Sequence, residues 1–121
     1  MEIVLDTNFI LACVENKADF IQLAGEIVIA REVVDELEEI RESGDLKKRL
    51  EAEIALKIII NNKGILQIVD FEDSYVDKGI IEYIKDKKDV AVGTLDKELR
   101  KKLKGKVRFV SLVARKKFEI S

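Results

Sequence analysis

Carboxylate side chains follow two short apolar runs of this sequence. Asp6 comes directly after Ile3–Leu5, and Asp96 comes shortly after Val90–Val92. If both runs are parallel strands of one sheet, their carboxyl ends meet at the same edge, which is where sites form in open α/β sheets. We therefore expect these two carboxylates to lie close together.

Two further acids belong to predicted helices that lead away from that sheet. In the helix predicted over residues 31 to 41, Glu36 lies nearest the edge of the apolar face, at about 90° from its centre. In the helix predicted around residues 75 to 86, Asp77 lies about 50° from the centre of the apolar face. A carboxylate in such a position is costly to bury, so it needs a basic side chain, a backbone amide or a cation as its partner.

Each acid also has a simpler structural explanation. Ser74 and Asp77 match a capping box, in which Asp77 would bond back to the amide of Ser74. Asp6 and Asp96 are compatible with first-turn acids favoured by a helix dipole, with Asn8 and Thr94 as caps, and Glu36 with a solvated acid on a charged helix. For one acid alone that explanation is sufficient, but four carboxylates at one edge would repel each other unless a divalent cation compensated their charge.

The residue types limit which cation that is. The chain has no histidine and one cysteine, Cys13, which excludes Ser-His and Cys-His nucleophilic catalysis and the usual zinc sites. Ligation by oxygen alone selects Mg²⁺ or Mn²⁺. The sequence therefore predicts a magnesium or manganese site.

Positive charge is concentrated near the end of the chain. Residues 97 to 117 contain ten Lys or Arg and a single acid, although the whole chain has 22 basic and 24 acidic residues. Four of the basic residues follow helical spacing and begin beside the last acid: Lys97, Arg100, Lys101 and Lys104. This basic stripe could neutralise the phosphates of a nucleic acid beside an acidic metal site; the alternative is a solvated helix face.

The elements that must position these residues alternate between strand and helix. Helical periodicity fills the gaps between five short Val- and Ile-rich runs, and Leu46, Leu50, Ile54 and Ile58, for example, recur every four residues. The runs read as buried strands of a parallel sheet covered by helices on both faces. They are Ile3–Leu5, Ile27–Ile29, Leu66–Val69, Val90–Val92 and Val107–Val110. The expected architecture is a three-layer α/β fold.

Length and composition are typical of one folded domain over residues 1 to 121. Hydrophobic residues make up 47% of the chain, which is too high for disorder. No apolar run approaches the roughly 18 residues of a membrane span, and the start lacks the pattern of a signal peptide. With a single cysteine, we expect a cytoplasmic protein.

These residues together resemble the PIN domain family. The motif Leu5-Asp6-Thr7-Asn8, Glu36, Asp77 and the segment Thr94-Leu95-Asp96 occur in the order and spacing of that family. The resemblance implies a strand order of 3-2-1-4-5 and hydrolysis of RNA with Mg²⁺ or Mn²⁺. It places Asp6, Glu36, Asp77 and Asp96 at the four acidic positions, Thr94 at the neighbouring hydroxyl position, and Asn8 at a polar position after the first acid.

The resemblance also implies partners. Many members are toxins that dimerise and are inhibited by a cognate antitoxin, and others process ribosomal RNA in an assembly. We therefore expect an RNA substrate, a homodimer, and an antitoxin or a ribosomal assembly partner. Two site assignments stay open: Asp73 is an alternative to Asp77, and Glu98 is a possible additional acid.

Two other classes of function compete with the nuclease. A phosphoacceptor receiver domain has a similar size and alternation, and Asp70 would be its acceptor, but the first strand ends in one acid instead of a pair. A PIN fold that binds RNA without cleaving it is the second alternative. Phosphorylation by acetyl phosphate would identify a receiver, and metal-dependent RNA cleavage would identify the nuclease.

Overall fold

A mixed sheet of six strands forms the centre of the molecule. The computed structural model describes all 121 residues. The strands are β1 (Glu2–Leu5), β2 (Glu26–Ala30), β3 (Gln67–Val69), β4 (Val90–Gly93), β5 (Arg108–Ala114) and β6 (Lys117–Ile120). Their order in the sheet is β3-β2-β1-β4-β5-β6, and only β6 is antiparallel to its neighbour. The predicted α/β class and the order 3-2-1-4-5 are confirmed.

Five α-helices connect the strands. They are α1 (Thr7–Glu15), α2 (Arg31–Ser43), α3 (Leu46–Asn61), α4 (Val76–Ile84) and α5 (Lys97–Leu103), and a short 3₁₀ helix spans Phe20–Gln22. Every predicted helix is present. No helix has both the length and the apolar character needed to cross a bilayer.

Alternate residues of the strands serve two separate cores. In β1, Ile3 and Leu5 pack into the core formed with α1, α2 and α3, whereas Val4 faces the core formed with α4 and α5. This division is the reason that the strands are apolar without alternation, since both faces of the sheet are covered.

The strand order also excludes the receiver alternative. In this molecule β1 lies between β2 and β4, whereas the receiver-type sheet has the order 2-1-3-4-5. Asp70 follows β3, which is here an outer strand beyond β2. It therefore does not stand beside the end of β1, as a phosphoacceptor site would require.

The sixth strand was missing from the sequence prediction. The chain reverses after β5 through Lys116, whose φ is 65°, and β6 then pairs antiparallel with β5. Phe118 of this strand packs against Phe9 of α1, with ring centroids 6.3 Å apart. A prediction based on buried parallel strands does not detect a short amphipathic edge strand.

Most of the predicted apolar stripe of α3 faces away from the core, and only its last residue, Ile58, is half-buried against the core. Leu46, Leu50 and Ile54 are exposed at 69%, 52% and 48%. The buried residues are instead Glu51, Ala52, Ala55, Leu56 and Ile59. Small alanines on that side allow α3 to pack closely against α1 and α2. The four-residue repeat of large side chains does not indicate that the face with the alanines is the buried one.

Candidate active site

Parallel pairing of β1 and β4 brings the first acid to the start of the last helix. Leu5 is paired with Gly93, and the amide of Asp6 donates to the carbonyl of Gly93 at 2.9 Å. A side chain at position 93 would meet the ring of Phe9 at 2.9 Å, so only glycine permits this approach. The register therefore sets Asp6 beside Thr94.

Asp6 is buried and held by two hydrogen bonds. The amide of Thr7 donates to Oδ1 at 2.7 Å, and the hydroxyl of Thr94 donates to Oδ2 at 2.9 Å. Burial raises the pKa of Asp6, the two hydrogen bonds oppose that shift, and the charge of Asp96 adds to it. The carboxylate is thus fixed in orientation at the N-cap of α1.

Asp96 is the N-cap of α5. Its Oδ1 accepts hydrogen bonds from the amides of Glu98 at 2.9 Å and Leu99 at 3.1 Å, and its own amide donates to the hydroxyl of Thr94 at 3.1 Å. The bond from Leu99 and the interaction with Asp77 lower its pKa. Asp96 therefore caps α5 with Oδ1 alone. Its Oδ2 takes no part in the cap, so the residue can cap the helix and also act at a site.

Asp77 carries the largest electrostatic penalty among these acids. Its burial, its interaction with Asp96 and the charge of Asp6 raise its pKa to about 6, and the charge of Lys102 opposes this shift. Helix α4 begins at Val76 with Tyr75 as its N-cap, so the capping box predicted for Asp77 does not form. Asp77 lies in the first turn of α4, where the helix dipole favours an acid, but its carboxylate makes no capping hydrogen bond.

Glu36, the fourth predicted acid, is exposed on α2. The hydroxyl of Thr7 donates to its Oε1 at 2.6 Å. Because Thr7 also donates its amide to Asp6, one residue orients two of the acids. Thr7 was not singled out from the sequence, although its position directly after Asp6 was visible.

One cleft of about 430 Å³ collects these side chains. The lining residues are Asp6, Asn8, Glu36, Ser74, Tyr75, Val76, Asp77, Lys78, Asp96 and Lys102. All four acids and Asn8 therefore border the same space, which we call the acidic cleft, and Thr94 is fully buried beneath it.

The two open alternatives for the acids lie outside this cleft. Oδ1 of Asp73 accepts from the amide of Tyr75 at 2.9 Å and shapes the turn before α4. Glu98 is exposed on α5, and only its backbone amide contacts Asp96. This geometry favours Asp77 as the third acid.

Glu32 was missed by the sequence reasoning. Its two carboxylate oxygens accept from the amides of Phe71 at 3.2 Å and Asp73 at 3.3 Å. These bonds tie α2 to the segment that leads into α4, and so they help to position Asp77. No local signal distinguishes Glu32 from the other acids of α2.

The basic stripe is divided by the tertiary structure. Lys97 and Lys101 are exposed, and Lys104 lies beyond the end of α5. Arg100 instead folds back: its guanidinium lies 4.5 Å from the ring centre of Phe109, and Nη1 donates to the carbonyl of Thr94 at 3.5 Å. Helical spacing predicted one continuous surface, whereas Arg100 supports the loop below the acidic cleft.

Two other lysines border the acidic cleft. Lys78 and Lys102 line it together with the acids, and the charge of Lys102 lowers the pKa of both Asp77 and Asp96. Both were outside the predicted stripe. Their positions depend on the packing of α4 beside α5, which helical spacing within α5 does not report.

The donor set of the acidic cleft suits Mg²⁺ or Mn²⁺. Burial and the neighbouring carboxylates Asp6 and Asp96 raise the pKa of Asp77, and the charge of Lys102 opposes this shift only in part. No group of three acidic side chains is placed so that it could hold a metal ion directly. Mg²⁺ commonly binds through one or two carboxylates and keeps several waters, so three direct carboxylate ligands are not required.

Comparisons with known proteins agree with this fold. Residues 3–115 match the family described as PIN like domain. The chain is 36% identical over 126 residues to "Ribonuclease VapC4" of Methanocaldococcus jannaschii, with 97% of this chain and 93% of that protein covered. It also superimposes on a solved structure of the PIN domain endonuclease Utp24 with a TM-score of 0.77. The two sequences are 23% identical, and the match covers 99% of this chain and 90% of the other.

Proposed function

This chain belongs to the PIN-like domain family, and on that premise we propose that it is a divalent-metal-dependent endoribonuclease. The observation that carries the proposal is the meeting of Asp6, Asp77 and Asp96 from three separate elements in one cleft. The relative named as a ribonuclease supports the same activity.

We assign the metal as Mg²⁺ or Mn²⁺, held by Asp6, Asp77 and Asp96 with Glu36 at the rim. When bound, such a cation polarises a phosphodiester oxygen and makes a water molecule more acidic. The protein supplies the orientation. Two hydrogen bonds hold Asp6, and the cap interactions of α5 hold Asp96.

The remaining residues of the acidic cleft position the RNA. Lys78 and Lys102 border the acids and would offset the charge of the substrate phosphates. Thr7 orients Glu36, and the exposed Asn8 can donate or accept a hydrogen bond at the same wall. Lys97, Lys101 and Lys104 would extend the contact along the RNA backbone, while Arg100 supports the loop.

RNA cleavage in the presence and absence of metal tests the proposal. We expect activity with Mg²⁺ or Mn²⁺, none in EDTA, and loss of cleavage in Asp6→Asn and Asp96→Asn. Asp35→Asn is the matched control, because Asp35 is exposed on α2 outside the acidic cleft. Full activity in EDTA would overturn the metal mechanism. RNA binding with no cleavage in any metal would instead identify the catalytically silent module.

We propose that this chain acts as the toxin of a toxin-antitoxin pair. The similarity to VapC4 extends over nearly the whole chain, whereas the match to Utp24 shows the fold alone, so the role in ribosomal RNA processing has less support. Exposed Leu46, Leu50 and Ile54 on α3 are compatible with a covering protein such as an antitoxin or a second copy. A toxic, RNA-degrading effect in cells that a neighbouring gene suppresses would support this role, and so would a cytoplasmic location.

A further inference from the structure

A second cavity of about 450 Å³ adjoins the acidic cleft. Its lining residues are Asn8, Leu11, Ala12, Glu15, Lys48, Glu51, Leu95 and Asp96. Asn8 and Asp96 line both spaces. A nucleotide next to a phosphate bound at the acids would therefore reach this second space, which we call the Glu51 cavity.

Glu51 is the unusual member of the lining. It is 8% exposed, yet its carboxylate accepts no hydrogen bond and forms no ion pair within the protein. No fully buried side-chain oxygen lacks a partner, so the oxygens of Glu51 keep their remaining access through the cavity. These oxygens have no donor from the protein, so a ligand with hydrogen-bond donors that enters the cavity would find both of them free.

Each of the other two carboxylates around the cavity has a partner for one of its oxygens. Glu15 is paired with Lys47, and Asp96 caps α5. The remaining walls include the aliphatic side chains of Leu11 and Leu95. The cavity thus combines apolar walls and the basic Lys48 with the free carboxylate of Glu51. Such a combination is suited to a flat ring that carries hydrogen-bond donors on its edge.

Resting on the proposed ribonuclease function, we propose that the Glu51 cavity selects a guanine beside the cleaved phosphate. A carboxylate offers only acceptors. Guanine presents two adjacent donors, N1–H and the N2 amine, which match its two oxygens. Adenine, cytosine and uracil each set an acceptor next to their donor, and that acceptor would face the carboxylate and repel it.

The test uses oligouridylates that carry one guanine, inosine, adenine or cytosine at the central position. We expect cleavage beside guanine to exceed cleavage beside adenine or cytosine by roughly 10- to 100-fold in kcat/KM, the usual range for a bidentate base contact. Inosine keeps N1–H but lacks the N2 amine, so its value should be intermediate. Glu51→Gln should abolish the preference for guanine. Cleavage beside guanine should fall, and cleavage beside adenine and cytosine should rise, because the amide nitrogen of glutamine can donate to the acceptors of those bases.

Glu53→Gln is the matched control, because Glu53 is exposed on the same helix and outside the cavity. It should retain the preference for guanine. Thermal unfolding of Glu51→Gln checks the fold, and Leu95→Ala gives a second probe of the cavity from an exposed side chain. Equal cleavage beside all bases by the parent, or an unchanged preference in Glu51→Gln, would overturn the proposal.

Binding of the same RNAs in EDTA, followed by fluorescence anisotropy, separates this proposal from the nuclease. A preference for guanine that depends on Glu51 would support the cavity even if no RNA were cleaved, in which case the proposed activity alone would be wrong. Cleavage without a preference for any base would support the ribonuclease function and would overturn the role of Glu51 in selecting guanine.

Discussion

The hydroxyl of Thr94 donates a 2.9 Å hydrogen bond to Oδ2 of Asp6, although the two residues are 88 positions apart in the chain. Both are buried, and the same hydroxyl accepts from the amide of Asp96. Thr94 therefore links the ends of β1 and β4 and orients two acids of the candidate site at once.

Replacing Thr94 with valine keeps the shape and removes this link. The buried oxygen of Asp6 would lose its donor, so we expect the free energy of unfolding to fall by about 1–3 kcal/mol. RNA cleavage should fall as well. Urea unfolding and initial rates measure the two effects, and Thr94→Ser, which keeps the hydroxyl, should recover most of both. Equal behaviour of the valine and serine variants would show that the hydrogen bond contributes little.

The raised pKa of Asp77 predicts a pH-dependent stability in the absence of metal. The folded value is about 6 against an ordinary value of 3.8, so the neutral form is favoured on folding. Its stabilising contribution is fully present below about pH 4 and is lost as the pH rises through 6. Asp77→Asn should remove this loss, so that the variant becomes more stable than the parent at pH 7.5 in EDTA.

Unfolding curves at pH 4, 5.5 and 7.5 measure that difference. Asp86→Asn is the control, because Asp86 is exposed just beyond α4 and should follow the parent. If the Asp77→Asn and parent curves stay parallel across the whole range, the carboxylate of Asp77 is not strained by its neighbours.

Metal binding should stabilise the folded chain. A ligand that binds only the native state at ten times its Kd adds about 1.4 kcal/mol to the free energy of unfolding. We expect Mg²⁺ or Mn²⁺ to raise the Tm of the parent and to have a much smaller effect on a variant that combines Asp6→Asn with Asp77→Asn. The same Tm increase in both proteins would place the bound ion elsewhere.

The lysines that contact RNA phosphates should be revealed by the salt dependence of binding. Each lost contact to a single strand reduces the slope of log affinity against log salt by about 0.7. We expect this change for Lys78→Gln and Lys102→Gln, and also for Lys101→Gln if the basic stripe is used. Thermal stability should change little for the exposed Lys101. Lys63→Gln, in the exposed turn just after α3, serves as the control. A slope unchanged in all variants would mean that RNA is held elsewhere.

Arg100 should behave differently from those lysines. Its guanidinium covers Phe109 and reaches the carbonyl of Thr94, so Arg100→Ala should lower the stability by about 1 kcal/mol through lost cation–π contact and packing. Thermal unfolding distinguishes this from a purely surface charge. If Arg100→Ala kept the parental Tm but bound RNA more weakly, Arg100 would contact RNA together with the other residues of the basic stripe.

The sequence by itself determined the class of fold and the strands after which the first and last acids lie. Short Val- and Ile-rich runs between amphipathic helices specify a covered parallel sheet, because burial of both faces depends on residue type and period alone. Since parallel strands end at one edge, the sequence alone predicts that Asp6 and Asp96 are neighbours. Glu36 and Asp77 followed from helical geometry.

The tertiary structure alone decided which side chains share a space. Contacts such as Thr94 with Asp6, or Arg100 with Phe109, join residues on different elements, and no local pattern encodes the distance between them. The choice of the buried face of α3 had the same origin. Its two alanines pack against the core together with Leu56 and Ile59, Glu51 is turned inward, and Leu46, Leu50 and Ile54 remain exposed. Periodicity reports that a helix has faces, whereas the packing of its neighbours determines which face is buried.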